Sequence, residues 1–77
     1  MNINVHFGRT VKQLRSAQGL SQEAFAARAD LNRTYLGEVE RGVATPSLAT
    51  VAKIAAALNM SPSALIAQSE ELTAIAG

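Results

Sequence analysis

Apolar residues recur along the chain at helical period, broken by short polar stops, and five segments emerge. From about Asn4 to Gln18, Phe7, Val11 and Leu14 fall at i, i+4 and i+7, one face of a helix, and Gly19 follows as a left-handed stop. Ser21 is a favourable N-cap for a two-turn helix from Gln22 to Ala29, with Phe25, Ala26 and Ala29 turned inward. Asp30-Leu31-Asn32 is a tight link. Asn32 caps a third helix over Arg33 to Arg41 that buries Leu36 and Val39 and ends at Gly42. Pro46 disfavours helix at Thr45, so Val43 to Pro46 is a loop. Ser47 then caps a fourth helix whose apolar stripe is Leu48, Val51, Ala52, Ile54, Ala55 and Leu58. Asn59-Met60 turns the chain, with Met60 expected to fill a gap in the core. Pro62, at a first helical position where its missing N–H is harmless, opens a fifth helix carrying Leu65, Ile66, Leu72 and Ile75.

Composition agrees with that pattern and narrows the function. With 48% apolar and 17% charged residues in 77, the chain is expected to pack around one core, and fifteen alanines favour helix over strand. The expectation is an all-α single domain over residues 1–77, with its core in 5–66 and a helix end or tail in 67–77. No cysteine is present, which excludes disulfides and thiolate metal sites. The single histidine, His6, is expected at the surface and cannot by itself form a metal site, so no metal or cofactor is expected. Paired acid/base groups, a glycine-rich phosphate loop and a nucleophile beside a base are not visible, and an enzyme is not expected. No apolar run approaches the ~18 residues of a membrane span and no signal-peptide core opens the chain, which points to a cytoplasmic protein. Charge is uneven: residues 1–53 hold all seven basic residues against four acids, net +3, while residues 54–77 carry −2. One end is thereby suited to an anion.

Two short helices joined by three residues can pack near a right angle, the helix-turn-helix arrangement. The run from Gln22 to Gly42 fits it, with Ala26 where the helices approach and Leu31, Leu36 and Val39 beneath. Over residues 7–66 the sequence resembles the phage Cro/repressor (xenobiotic-response-element) family of helix-turn-helix regulators. The stretch Arg33-Thr-Tyr-Leu-Gly-Glu-Val-Glu-Arg-Gly42 is also similar to the controller proteins of restriction-modification systems. The resemblance implies a five-helix lambda-repressor-like fold and a repressor or activator that binds double-stranded DNA, the third helix reading bases. It further implies that Gln22 contacts phosphate and braces that helix, and that Arg15 and Glu40 form a structural ion pair. Asp30 stands where the family usually has glycine at positive φ, a conformation aspartate tolerates better than most residues.

Chemistry suggests roles along the third helix. Guanine presents two acceptors in the major groove that match an arginine fork, which makes Arg33 a candidate base reader. Thr34 offers a hydroxyl or methyl contact and Tyr35 a surface against sugar or base edges. Glu38 either accepts from cytosine N4 or repels phosphate at wrong sites. Candidate phosphate contacts are Gln22, Asn32, Arg41 and Ser47 with the Val43–Ser47 backbone; Arg9 and Lys12 are secondary. Gly37 costs a helix interior roughly 1 kcal/mol and suggests close approach, either to DNA or to another helix.

A single reading helix covers too few base pairs to find one site in a genome, which calls for a homodimer on a near-palindromic operator. Leu65, Ile66, Leu72 and Ile75, on a segment without basic residues, are the candidate dimer interface. Two other classes stay open: an antitoxin that also binds a toxin protein, for which residues 67–77 form a short tail, and a protein-binding module without DNA contact. A polymerase contact is compatible with either regulator.

Overall fold

The computed structural model describes the backbone of residues 2–76 and the side chains of residues 2–71. Five helices appear in chain order, and no strand occurs among the described residues: α1 (Ile3–Ala17), α2 (Gln22–Arg28), α3 (Arg33–Arg41), α4 (Leu48–Ala57) and α5 (Pro62–Ala76). The bounds of α1 and α2 follow the sequence expectation to within a residue, α3 has the expected ends, and α4 and α5 start where expected.

One device stops each of the first four helices. Gly19, Asp30, Gly42 and Asn59 all take positive φ, at 72°, 56°, 77° and 60°. The amide after each donates to the carbonyl five residues back: Leu20 to Arg15, Leu31 to Ala26, Val43 to Glu38 and Met60 to Ala55, at 2.8–3.2 Å. These bonds satisfy helix-end carbonyls that would otherwise face water alone. Leu20, Leu31 and Met60 fold back against the core, as such an apolar residue after the stop commonly does. In all three cases the next residue is already the cap of the following helix: Ser21, Asn32 or Ser61, whose side-chain oxygens accept amide bonds from Ala24, from Thr34 and Tyr35, and from Ala64. Each cap is worth about 1 kcal/mol. The link after α3 departs from this pattern. It is two residues longer, Val43 is 71% exposed, and Ser47 caps α4 only after Pro46.

Phe7, Val11, Phe25, Leu36, Val39, Ile54 and Leu65 form the heart of one buried cluster, with Val51, Leu58 and small alanines around them. α1 packs against both α3 and α5, α2 lies on α3, and α4 meets the Pro62–Glu71 part of α5 at 92°. Gly8 makes the α1–α3 crossing possible. A Cβ there would fall on the Val39 carbonyl oxygen and 2.6 Å from that of Glu40, so the two backbones touch where any side chain would hold them apart.

Four expectations need correction. Leu48 is 88% exposed: it lies on the α4 stripe, but in the first turn, ahead of the positions that neighbouring helices cover. Ala52 is exposed too, since it lies a third of a turn round from buried Val51. His6 is half-buried, and its Nδ1 is shielded from solvent without a partner among the described residues. Leu65, expected to face a second copy, is fully enclosed by the chain's own core. It shares the inward face of α5 with buried Ser69, whose hydroxyl donates to the Leu65 carbonyl at 3.0 Å. Ile66 remains at the surface, whereas the side chains of Leu72 and Ile75 lie outside the described residues. No single helix among the described residues is long and apolar enough to cross a membrane.

Candidate nucleic-acid interface

The inner face of α3 is fixed by one carboxylate. Glu40 is nearly inaccessible, and Arg15 of α1 grips it bidentately, Nε to Oε2 at 2.7 Å and Nη2 to Oε1 at 3.0 Å. Gln22, the first residue of α2, donates its amide to Oε1 at 2.9 Å. Arg15 Nη1 completes the set by donating to the Leu20 carbonyl at 2.8 Å. Three helices and the α1–α2 link therefore converge on a charge whose oxygens are satisfied, the condition under which a buried ion pair is tolerable. The hydrogen bond to Glu40 raises the Arg15 pKa above the ordinary arginine value, outweighing a smaller lowering by burial, and the nearby negative charge adds to the rise. A raised value means that this arginine's contribution is complete below the ordinary arginine range and is lost only as pH climbs through the raised one. The expected Arg15–Glu40 pair and the bracing by Gln22 are thus both present.

The outer face of α3 is the opposite. Arg33 and Thr34 are exposed at its start and Arg41 at its end, roughly 12 Å along the axis. Their side chains make no hydrogen bond or ion pair among the described residues, and neither does that of half-buried Glu38. Tyr35 packs partly against the core and leaves one edge outward. Asn32 spends its side-chain oxygen on the Thr34 and Tyr35 amides, at 2.8 and 3.2 Å, so only its amide donors face out. The Ser47 hydroxyl is engaged with Thr50, which leaves the backbone of its loop as the group to offer an anion. Arg33, Thr34 and Asn32 therefore cluster at the start of α3, while the Gln22 and Arg41 side chains come together over Gly37 at its middle. The loop before Ser47 is tied to α1 through the Asn4 amide, which donates to Thr45 Oγ1 at 3.0 Å.

Two features escaped the sequence reading. Gly8 sets the approach of α1 to α3, and its signal was available as a glycine within an amphipathic helix. Lys53 of α4 reaches Asp30, its Nζ 3.6 Å from Oδ2 and 3.5 Å from the carbonyl oxygen, over the residue held at positive φ. Both partners are well exposed, so this bond adds little stability.

The chain belongs to the helix-turn-helix family: the family model of that description matches residues 11–65. This is a class of DNA-binding transcription regulators, and controller proteins are among this chain's relatives. The chain is 42% identical over 66 residues to Control protein C.BamHI of Bacillus amyloliquefaciens, covering 84% of this chain and 82% of that one. The solved restriction-modification controller protein C.AhdI from Aeromonas hydrophila superposes with a TM-score of 0.78 at 45% identity, over 80% of this chain and 94% of that one. SinR, a master regulator for biofilm formation solved in complex with DNA, is 31% identical with a TM-score of 0.73, over 78% of this chain and 97% of that one.

Proposed function

We propose that the chain, as one domain over residues 1–77, is a sequence-specific transcription regulator that lays the outer face of α3 in the major groove of double-stranded DNA. One observation carries the reading: Arg33, Thr34 and Arg41 stand exposed and without partners among the described residues, on a helix whose other face is locked by Glu40. A cation at a helix start opposes the helix dipole, so Arg33 is better explained by an external anion or acceptor than by the chain itself. In this reading Arg33 forks onto a guanine, while Thr34, Tyr35 and Glu38 read or exclude the adjoining bases. Gln22, Asn32, Arg41 and the loop ending at Ser47 take phosphates and set the register. A structural neighbour seated on DNA, and controller relatives above 40% identity, support the same use of the fold.

The regulator acts in the cytoplasm as a homodimer, with half-sites about 34 Å apart or a multiple of that. Ile66 is a surface residue suited to such an interface, and the proposal extends to Leu72 and Ile75, whose side chains lie outside the described residues. Selection of bound sequences from a random duplex pool tests the whole reading. A two-fold symmetric motif is expected, and sedimentation of the protein with the selected duplex should give two copies per site. Arg33→Ala should then weaken the selected duplex by roughly 1–3 kcal/mol and barely change binding to random duplex. Failure to enrich any motif would defeat the proposal.

A further inference from the structure

Gly37 is an unexpected residue for the middle of a nine-residue helix, because glycine there is less favourable than alanine. It does not serve helix packing. A Cβ on Gly37 would meet no backbone, and its nearest neighbours would be Arg41 Nη1 at 3.3 Å and Gln22 Nε2 at 3.9 Å. The contrast with Gly8, whose Cβ would strike two carbonyls of α3, is direct. Gly37 is nonetheless buried, covered by the ends of those two side chains, although Arg41 itself is exposed. The arginine therefore folds back over one turn of its own helix and lays its guanidinium in the notch that the missing side chain leaves.

The two nitrogens over the notch lie no further apart than the sum of those two distances. One phosphate can bridge such a gap, taking a bond of about 2.9 Å from each side. Both groups are able to donate. Glu40 only accepts, so the Gln22 side chain must present Nε2 to it, and that nitrogen keeps a second hydrogen to give. Arg41 has no partner among the described residues.

We propose that Gly37 is a positioning residue for DNA binding: its notch seats the Arg41 guanidinium beside Gln22, so that the pair clamps a single backbone phosphate. The inference rests on the DNA-binding reading above and adds to it how one phosphate anchor is built. Of the two uses the sequence leaves open for Gly37, it favours the one toward DNA, since what the missing side chain admits is the guanidinium of Arg41 and not the backbone of another helix.

The test uses the full chain with two probes, the duplex selected from the random pool and a random-sequence duplex of equal length. Gly37→Ala should keep or raise the melting temperature, because the new methyl meets only the tips of flexible side chains. It should weaken both duplexes by a similar factor, about tenfold for a displaced charge-assisted bond. The log–log salt slope should become shallower by up to about 0.9, one phosphate's share. Arg41→Met should do the same without touching the glycine, and adding Gly37→Ala to Arg41→Met should cost nothing more. Equal affinities of wild type and Gly37→Ala, or a full Gly37→Ala effect persisting in the Arg41→Met background, would overturn the proposal. So would unchanged binding by Arg41→Met, which holds even if the alanine variant fails to fold. Absence of any salt-dependent DNA binding by wild type would instead sink the functional reading itself.

Discussion

The two faces of α3 are held by different physics. Inward, Leu36 and Val39 are sealed in the core and Glu40 collects donors from α1 and α2, so both of its carboxylate oxygens have partners. Outward, Arg33, Thr34 and Arg41 have none among the described residues. Apolar burial alone would allow α3 to roll, since dispersion and the hydrophobic effect have little direction. The bidentate grip of Arg15 and the amide of Gln22 supply that direction. The lesson is that orientation and chemistry have been separated onto opposite sides of nine residues.

Substitutions can break this division, and the largest effect is expected inside. Glu40→Ala strands Arg15 without its anion and removes the acceptor of Gln22, and should lower unfolding free energy by about 3 kcal/mol in a urea titration. That is a large share of the margin of so small a domain, and DNA affinity should fall with it. Gly8→Ala tests the same face by steric means. Its methyl must push α1 away from two carbonyls of α3, which should cost about 2 kcal/mol and loosen the Arg15–Glu40 geometry with it. A melt unchanged by Gly8→Ala would show that the α1–α3 crossing has room for a methyl group. On the outer face, Thr34→Ala should leave stability within about 0.5 kcal/mol and change only the selected base preference. A destabilising Thr34→Ala would mean that the division is not real.

Much of this was legible in the sequence because local signals coincide. Asn32 and Gly42 bracket α3 with a cap and a stop that depend on their own chemistry, and the structure keeps both ends. The positive φ of Asp30 follows from the family resemblance, which puts glycine at that site, and the structure has it there. The Arg15–Glu40 pair, 25 residues apart, followed only from family resemblance, because nothing local links an arginine to a distant glutamate. What escaped depends on neighbours. Periodicity assigns Leu48 and Leu65 to apolar stripes without saying which turn a second helix covers, and the two came out reversed: Leu48 bare, Leu65 enclosed. The roles of Gly8 and Gly37 are likewise invisible until it is known what a side chain would strike.

The repeated helix stop, a positive-φ residue whose successor bonds five back, has a kinetic corollary. Each of these joints is closed by hydrogen bonds of its own, so α3 is presented already rigid to whatever it meets. Little backbone remains to be ordered on contact, and the entropic toll falls mainly on a few long side chains, about 0.5–1.5 kcal/mol for each one immobilised. Encounter should then proceed as the docking of a finished surface, at a rate set by diffusion and charge rather than by folding.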